Sequence, residues 1–546
     1  LYRHYRDKHL MCVNGTSSDR AVPSDIVDFL DKLAHAMVEI GVGHICGGAE
    51  TGSMGAGIRS WIRANRELGK NIEIATVLLK LNGSAADREK PLELEGWGMQ
   101  SVKQWSWSTR TPALHGIGRQ AAMGINPGGL GTLFEVFFPI AARQFQSKGI
   151  VGIFDEQRSP SELFFFSSST YESHFWEPTA NLFKNMVMAR ACKPEYLQCN
   201  MIDPGDSEIA IKKIVELHEK ERLSEHKSPR KSLSNPERKF ATTALSSLSR
   251  AGFEPRDSFH NSSRPFFSFL DNLVAAHRVI YHLRKGLKIL TQQGADEAAN
   301  YLDDSIQGAQ DERSLTLTTL ERLAKKPAIQ LVGSAKENIW NEQIESYSKR
   351  IISTAVRNGL SVVISGCGTV GMPKHWTDIW INEMKLFQDA SGKPSQSELV
   401  RVQTSYEGKE EPKRTFERGY AETVITLLTL DARNEVANAI GSKQAFILAP
   451  GGPAELLAFS QAILNRQLFG KMLTPYAEKP IFEVLNVPVG QTGSERFYDP
   501  LLEQLKVMER YYTINPSDYS IEWFKTLENP ILDADRLIAD LTDRKM

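Results

Sequence analysis

The chain has 546 residues, more than one hydrophobic core usually serves, so we expect two or three domains. Its apolar fraction of 41% and charged fraction of 24% are ordinary for a globular protein. A formal net charge of −1 gives no overall basic field for nucleic acid, and no apolar run approaches the ~18 residues that span a bilayer, so we expect neither partner.

The five cysteines are an odd number and show no spacing typical of a metal site. Cys12, Cys46 and Cys367 lie in or beside apolar runs that resemble strands. We therefore expect reduced, structural thiols and a cytoplasmic location. Because the sequence begins with Leu1, we also expect it to start inside a longer product.

The first patterned stretch is residues 11–18, Met-Cys-Val-Asn-Gly-Thr-Ser-Ser, which predicts a strand ending in a Gly/Ser turn. A helix is predicted from Ser24 to Ile40, because apolar residues recur there at helical spacing. These residues are Ile26, Phe29, Leu30, Leu33 and Met37.

A second strand, glycine turn and helix are predicted by Gly43-His-Ile-Cys-Gly-Gly-Ala-Glu-Thr-Gly-Ser-Met-Gly55. Further strands are predicted at 72–79, 100–107 and 150–154. Strands that alternate with helices indicate a doubly wound parallel α/β sheet, whose ligands bind beyond the carboxyl ends of the strands.

The most informative stretch is Asn126-Pro-Gly-Gly-Leu-Gly-Thr-Leu-Phe-Glu135. Residues 121–125 predict a short buried strand before it, and a helix is predicted from Gly131 to Gln146. Glycines let the backbone approach a ligand, and the first N–H groups of a helix lack intrahelical partners. We therefore expect an anion site, with the Thr132 hydroxyl as a further donor. A Pro-Gly-Gly turn alone could simply pack, but the full spacing, with Glu135 one turn into the helix, favours a site.

The same order of elements recurs in the second half. The recurring segments are a strand and turn at 329–334, a helix at 340–358, a strand and glycine turn at 360–372, and Ala449-Pro-Gly-Gly-Pro-Ala-Glu-Leu-Leu-Ala458. Pro450 lies 323 residues after Pro127, and several residues match at that offset without a gap. The matches are Arg110 with Arg433, Ile117 with Ile440, Gly118 with Gly441, and Arg143-Gln144 with Arg466-Gln467.

Each half also closes on an aromatic pair followed by an acid and a proline, Phe175-Trp-Glu-Pro178 and Phe497-Tyr-Asp-Pro500. We infer a tandem duplication. It divides the chain into a first α/β domain at 1–200, a connecting region at 201–327 and a second α/β domain at 328–546.

The connecting region is predicted to be helical with one exposed crossing. Helices are predicted at 203–222, 266–290, 296–307 and 314–325, and the Ser/Lys/Arg/Pro-rich run 224–239 is predicted to be an exposed crossing.

The pattern P-G-G-x-G-T-x-x-E of residues 127–135 resembles the signature of the LOG ("lonely guy") phosphoribohydrolases. These proteins are often misnamed lysine decarboxylases and belong to the SLOG superfamily. Arg110 falls on the arginine of the family's M-H-x-R-K motif, whereas its histidine and lysine are not kept. The turn Gly47–Gly55 is similar to the family's G-G-G-x-x-G-L-M-G, from which Ala49 and Ser53 depart.

The resemblance covers 11–180 and 328–510 and implies two Rossmann-like domains. It also implies hydrolysis of a nucleoside 5′-monophosphate to free base and ribose 5-phosphate, without a metal or organic cofactor. Arg110 and Glu135 are the catalytic candidates, because a fixed carboxylate can stabilise an oxocarbenium-like ribose or activate water. The phosphate-binding candidates are Gly128, Gly129, Gly131, Thr132, Ser17, Gly47, Gly48 and Gly52.

In the second half Glu455 stands where Thr132 would be, and Ala458 replaces the glutamate. A carboxylate there would repel phosphate, so we expect a degenerate, catalytically silent site that could still bind another ligand. Its residues are Arg433, Gly451, Gly452 and Glu455. Because LOG-like enzymes are generally homodimers, the resemblance also implies an intramolecular pseudo-dimer, which could associate further into a homo-oligomer.

Other function classes remain open. A non-catalytic nucleotide sensor of the SLOG type fits the degenerate half, although intact Arg110 and Glu135 favour an enzyme. A dinucleotide oxidoreductase is suggested only by Gly366-Cys-Gly-Thr-Val-Gly371, a weak motif without a counterpart in the first half. A lysine decarboxylase that uses pyridoxal phosphate is disfavoured, because no context for a Schiff-base lysine is present.

Overall fold

The structure is a computed structural model. It describes residues 8–16, 22–48, 51–79, 99–104, 110–111, 114–115, 117, 120–146, 162–224, 234–248, 282–283, 285–366, 370–404, 422–427, 430–469, 481–489, 495–511, 524–526, 534–535 and 537–539. None of the helices in this part of the chain combines the length and apolar character needed to cross a bilayer.

The first half alternates strands and helices. Its elements are β1 (Leu10–Asn14), α1 (Ser24–Glu39), β2 (Gly43–Cys46), α2 (Gly52–Glu67), β3 (Ile74–Leu79), β4 (Met99–Gln104), β5 (Ala122–Ile125), α3 (Leu130–Gln146), β6 (Glu162–Phe166), α4 (Glu177–Met188), β7 (Cys199–Ile202) and α5 (Ser207–Ser224). In the connecting region, the described residues include α6 (Asn235–Leu248), a helical segment at 285–293 and α7 (Ala295–Lys325).

The second half repeats this alternation. Its elements are β8 (Ala328–Val332), α8 (Glu342–Arg357), β9 (Ser361–Ser365), α9 (Gly371–Ser391), β10 (Leu399–Thr404), β11 (Glu422–Leu427), α10 (Leu430–Gly441), β12 (Ala445–Leu448), α11 (Pro453–Phe469), β13 (Ile481–Val484), β14 (Pro488–Val489), β15 (Glu495–Arg496), α12 (Asp499–Arg510) and β16 (Phe524–Thr526).

Each half builds one seven-stranded sheet, with strand orders β4-β3-β2-β1-β5-β6-β7 and β11-β10-β9-β8-β12-β13-β16. Every pairing in both sheets is parallel. The predicted fold class, two Rossmann-like doubly wound sheets in tandem, is therefore confirmed. The first sheet extends past residue 200, because β7 pairs with β6 across that position.

Backbone hydrogen bonds show that the repeat is structural. The Thr16 N–H donates to the Pro127 carbonyl at 3.2 Å, and the Ser334 N–H donates to the Pro450 carbonyl at 3.3 Å. Ser334 follows Thr16 by 318 residues, whereas Pro450 follows Pro127 by 323. The two halves thus keep the same loop contacts although their chain lengths between these points differ.

Several predicted elements are confirmed by the structure. The helix predicted at Ser24–Ile40 is α1, and its five predicted apolar residues are all buried. The helix predicted after the Pro-Gly-Gly turn is α3, which begins one residue earlier, at Leu130, and ends at Gln146 as predicted. A buried apolar face at helical spacing explains why α1 was predictable, whereas α3 is buried on all sides from Thr132 to Ala141 and was located by the glycine turn that precedes it.

The connecting region differs from the prediction in two places. The two helices predicted at 296–307 and 314–325 are one continuous helix, α7, because a single Gly308 costs only about 1 kcal/mol in a helix and no proline interrupts the run. The crossing predicted at 224–239 is shorter, since α6 already begins at Asn235. Residues 225–233 of that crossing lie outside the described residues.

Two other predicted elements fall largely outside the described part of the chain. They are the strand at 150–154 and most of the helix at 266–290, of which residues 285–290 are helical. On the side of β5 away from β1, the strand that pairs with it is β6, which was not predicted.

The halves pack on each other through equivalent helices. α3 packs against α11, and α4 packs against α12. One continuous cluster of buried apolar side chains, including Phe134 and Phe137 of α3 and Leu456 and Phe459 of α11, spans both halves. Pairing of equivalent surfaces is the arrangement that a two-fold symmetric dimer has.

Candidate active site

The predicted loops meet where the first sheet reverses its strand order. The chain adds strands outward from β1 on one side and outward from β5 on the other, so β1 and β5 flank the switch point. The Asn126 N–H donates to the Asn14 carbonyl at 2.8 Å, which continues the pairing one residue past the end of β5. Crevices at this point, beyond the strands' carboxyl ends, are where open α/β sheets bind ligands.

The Pro-Gly-Gly turn delivers the backbone directly into α3. The Leu133 N–H donates to the Gly129 carbonyl at 3.0 Å, the bond that opens the helix. The Thr132 side chain folds back on the turn so closely that a Cβ at Gly128 would lie 2.1 Å from its Oγ1. Gly129 and Gly131 are half-buried, whereas Thr132 is buried. The first turn of α3 therefore offers N–H groups and one hydroxyl beside each other.

Arg110 and Glu135 form a buried ion pair behind this turn. Arg110 Nη1 lies 2.7 Å from Glu135 Oε1, and the side chains are only 1% and 3% exposed. Arg110 Nε also donates to the Val77 carbonyl of β3 at 3.0 Å, which fixes the guanidinium from the other side. Twenty-five residues apart in the chain, the two sequence-predicted catalytic candidates are thus in contact.

The glycine turn after β2 lies beside the Arg110 side chain of this ion pair. A Cβ at Gly47 would lie 1.9 Å from Arg110 Nη2, so any larger residue there would displace the guanidinium. Gly48 and Gly52 have φ of 80° and 69°, in the left-handed region. The structure therefore brings Gly47 to Arg110, while Ser17 lies outside the described residues.

Two buried asparagines at the switch point were not predicted. Asn126 is fully buried, and neither side-chain amide atom hydrogen-bonds to a described residue. Asn14 Oδ1 accepts from Cys12 Sγ at 3.3 Å, whereas its Nδ2 has no such partner. Buried amides are normally satisfied, so these atoms are candidates for ligand contacts.

In the second half, apolar residues stand at the two positions equivalent to these asparagines. The Ala449 N–H donates to the Val332 carbonyl at 2.8 Å, just as Asn126 bonds to Asn14, so apolar residues stand at both equivalent positions. A residue-by-residue comparison of the two halves could have identified the asparagines, because they are polar where the second half is apolar.

Glu455 caps the equivalent turn of the second half. Its Oε2 accepts from the Gly452 N–H at 2.6 Å, and a Cβ at Gly451 would lie 2.5 Å from its Cγ. A side-chain anion is therefore bound to the backbone of this turn. The glutamate that stands at the position of Thr132 therefore satisfies a backbone N–H group of its own turn.

The remainder of the second site is also rebuilt. With Ala458 in place of the glutamate, Arg433 Nε and Nη2 donate to Asn434 Oδ1 at 3.1 and 2.9 Å. Asn438 Nδ2 donates to the Ala458 carbonyl at 3.2 Å, and Gln330 Nε2 donates to Asn438 Oδ1 at 2.8 Å. Amide side chains thus contact both Arg433 and the Ala458 carbonyl in the second half.

Two further titratable groups near the pair are held uncharged. Burial, together with nearby Arg110, lowers the pKa of His115 to about 3, so this imidazole is neutral near pH 7. Burial and the neighbouring Glu135 raise the pKa of the Cys12 thiol well above its ordinary value, so it stays protonated. The His115 imidazole therefore adds no positive charge beside the ion pair, and the Cys12 thiol adds no second negative charge beside Glu135.

A groove of about 450 Å³ between α4 and α12 lies elsewhere and includes none of the predicted site residues. No model of a known protein family matches the chain, and no curated protein matches it.

Proposed function

We propose that the first half hydrolyses the N-glycosidic bond of a nucleoside 5′-monophosphate, releasing the free base and ribose 5-phosphate. The observation that carries this proposal is the buried Arg110–Glu135 pair directly behind the glycine turn at the start of α3. It agrees with the function implied by the resemblance to LOG phosphoribohydrolases.

The phosphate would bind at the first turn of α3. The backbone of Gly129 and Gly131 is the accessible part of this turn, and Thr132 adds a hydroxyl. A helix N-terminus favours an anion through its N–H groups and its dipole. The buried amides of Asn14 and Asn126 would contact polar groups of the same substrate, since they lie at the end of β1 and directly after β5, at the switch point.

Glu135 would act on the ribose. As the C1′–N bond breaks, its electron pair leaves with the base and positive charge builds on the ribose. The carboxylate stabilises that charge or takes a proton from the water that attacks C1′, and the departing base takes up the proton that the water loses. Arg110 acts as a positioning residue, because its bonds to Val77 and Glu135 fix where the carboxylate lies.

The first prediction is that Glu135→Gln lowers base release by about 10²–10⁴-fold, the usual size of a general acid–base contribution. The glutamine keeps an acceptor for Arg110 while removing the charge. The assay is chromatography of free base from a panel of nucleotides. Glu67→Gln, at the exposed end of α2, is the control and should keep the parent rate.

Because Glu135→Gln alters a buried ion pair, circular dichroism must show that the variant folds before its rate is interpreted. Equal rates for folded variant and parent would exclude Glu135 from catalysis. Nucleotide binding without base release by the parent would instead identify a nucleotide sensor of the SLOG type.

The second prediction concerns the 5′-phosphate. If the first turn of α3 binds it, the nucleoside should be a poorer substrate than its monophosphate. One charge-assisted contact is worth ~1.5–3 kcal/mol, so kcat/KM should fall about tenfold to a hundredfold. Equal efficiency toward both compounds would contradict this binding site.

A further inference from the structure

A second cluster of functional side chains lies at the opposite end of the first sheet. His9 directly precedes β1, where its carbonyl accepts from the Gly43 N–H at 2.9 Å. At about 3.3 Å per residue, the amino end of β1 is roughly 16 Å from Asn14 at the switch point. This cluster is therefore separate from the candidate active site.

The partners of His9 come from α5, the helix that leaves the first half. Ala210, Ile214 and His218 follow each other at intervals of four residues on this helix, and all three are buried. Glu221 lies three residues further and extends the same face. This face of α5 thus carries apolar side chains near the start of the helix and potential metal ligands where the helix reaches His9.

The three side chains converge on one point. The potential ligand atoms of His9, His218 and Glu221 all lie within 4.8 Å of one another. His218 is only 1% exposed, and neither of its ring nitrogens hydrogen-bonds to a described residue. A buried imidazole is normally satisfied, so this convergence requires an explanation that packing alone does not supply.

We propose that His9, His218 and Glu221 bind a divalent transition-metal cation, with Zn²⁺ the best match. Two imidazoles and one carboxylate are ligands that zinc accepts, and a water would complete its four-coordinate shell. The ion ties the end of α5 to the start of β1. It therefore stabilises the point where the chain leaves the first half, and the inference does not depend on the proposed hydrolase activity.

The test is a zinc titration of the full chain after removal of metals with a chelator, read against a chromophoric competitor. The parent should bind one Zn²⁺ per chain. Loss of a residue that only hydrogen-bonds to a metal ligand lowers metal affinity by about 10–100-fold. His218 would itself be a ligand, so His218→Gln should lower zinc affinity by at least about 100-fold. His35→Gln, which removes an exposed histidine from α1, is the matched control and should bind like the parent.

Hydrogen exchange gives a second readout, since zinc should slow exchange in residues 207–224 of the parent but not of His218→Gln. Equal zinc affinity in parent and folded His218→Gln would overturn the proposal, as would a parent that binds no zinc. If His218→Gln does not fold, Glu221→Gln takes its place, and unchanged affinity in that variant overturns the proposal in the same way.

Discussion

At the scale of single residues, the ion pair of the first site illustrates what a motif can and cannot predict. Arg110 and Glu135 were found because each occupies a fixed place in a spaced pattern. Their contact, and the role of Val77 in holding the arginine, depend on how β3 and α3 pack. Asn14 and Asn126 were not predicted, because an unsatisfied amide can be distinguished from an ordinary polar residue only when the hydrogen bonds of the buried groups are known.

His44 carries the third prediction, which concerns pH. It is fully buried in β2 and stacked on Trp61, with ring centroids 4.5 Å apart. Burial lowers its pKa from 6.5 to about 3. Between these values the unfolded state takes up a proton that the folded state does not, so the free energy of unfolding falls as pH falls below 6.5.

By pH 5 this effect of His44 amounts to about 2 kcal/mol. We expect the loss of stability between pH 7 and pH 5, measured by urea unfolding, to be smaller by about that amount in His44→Gln. The exposed-site variant His35→Gln should keep the parent's pH dependence. An unchanged slope in His44→Gln would show that His44 is not held neutral by burial.

At the scale of elements, periodic apolar residues made α1 predictable, because this helix buries one face, whereas α3 is buried on all sides from Thr132 to Ala141 and also packs on α11. The extent of α7 was not predictable in the same way, since Gly308 reads as a break although a helix tolerates it. Likewise, the sequence contains no local signal for which strand lies beside β5. The identity of that neighbour depends on long-range pairing, and in the structure β6 pairs with β5 on the side away from β1.

The fourth prediction concerns how α12 of one half caps α4 of the other. Gln504 Oε1 accepts from the N–H and the Oγ1 of Thr179, at 3.2 and 2.8 Å, and its Nε2 donates to the Phe175 carbonyl at 3.1 Å. Thr179 lies in the first turn of α4, where N–H groups have no intrahelical acceptor. Gln504 is fully buried, so water cannot replace it.

We expect Gln504→Leu to lower the free energy of unfolding by about 2–3 kcal/mol, because it leaves these donors buried and unpaired while nearly keeping the side-chain volume. Urea unfolding provides the measurement, and Lys506→Ala, an exposed change on the same helix, is the control. A loss no larger than that of the control would mean that this contact adds little to the packing of the halves.

At the scale of the whole molecule, we propose that the duplicated halves form an intramolecular pseudo-dimer with one working site. The packing of α3 on α11 and of α4 on α12 supports this proposal, since equivalent helices meet. Duplication and fusion would keep such an interface while freeing one copy to lose its glutamate. The repeat was readable from matched residues, whereas the helix pairing that joins the halves was not.

The fifth prediction follows from that interface. A fragment of residues 1–224 contains the complete first sheet but exposes the apolar faces of α3 and α4. It should therefore aggregate, self-associate or lose activity, as measured by light scattering and base release. A monomeric fragment with the activity of the full chain would show that the second half is not a structural partner.

The bond between Glu455 and the Gly452 N–H has a consequence for how the two turns respond to their surroundings. A carboxylate three residues along the chain is a tethered ligand, whose effective concentration is set by the chain and not by the solution. A dissolved anion must displace it before reaching that turn. The first turn carries the neutral Thr132 instead, so a dissolved anion would meet no such competitor there. If the first turn binds phosphate as we propose, added phosphate should stabilise the first half selectively, because the second half carries its own carboxylate at the equivalent turn.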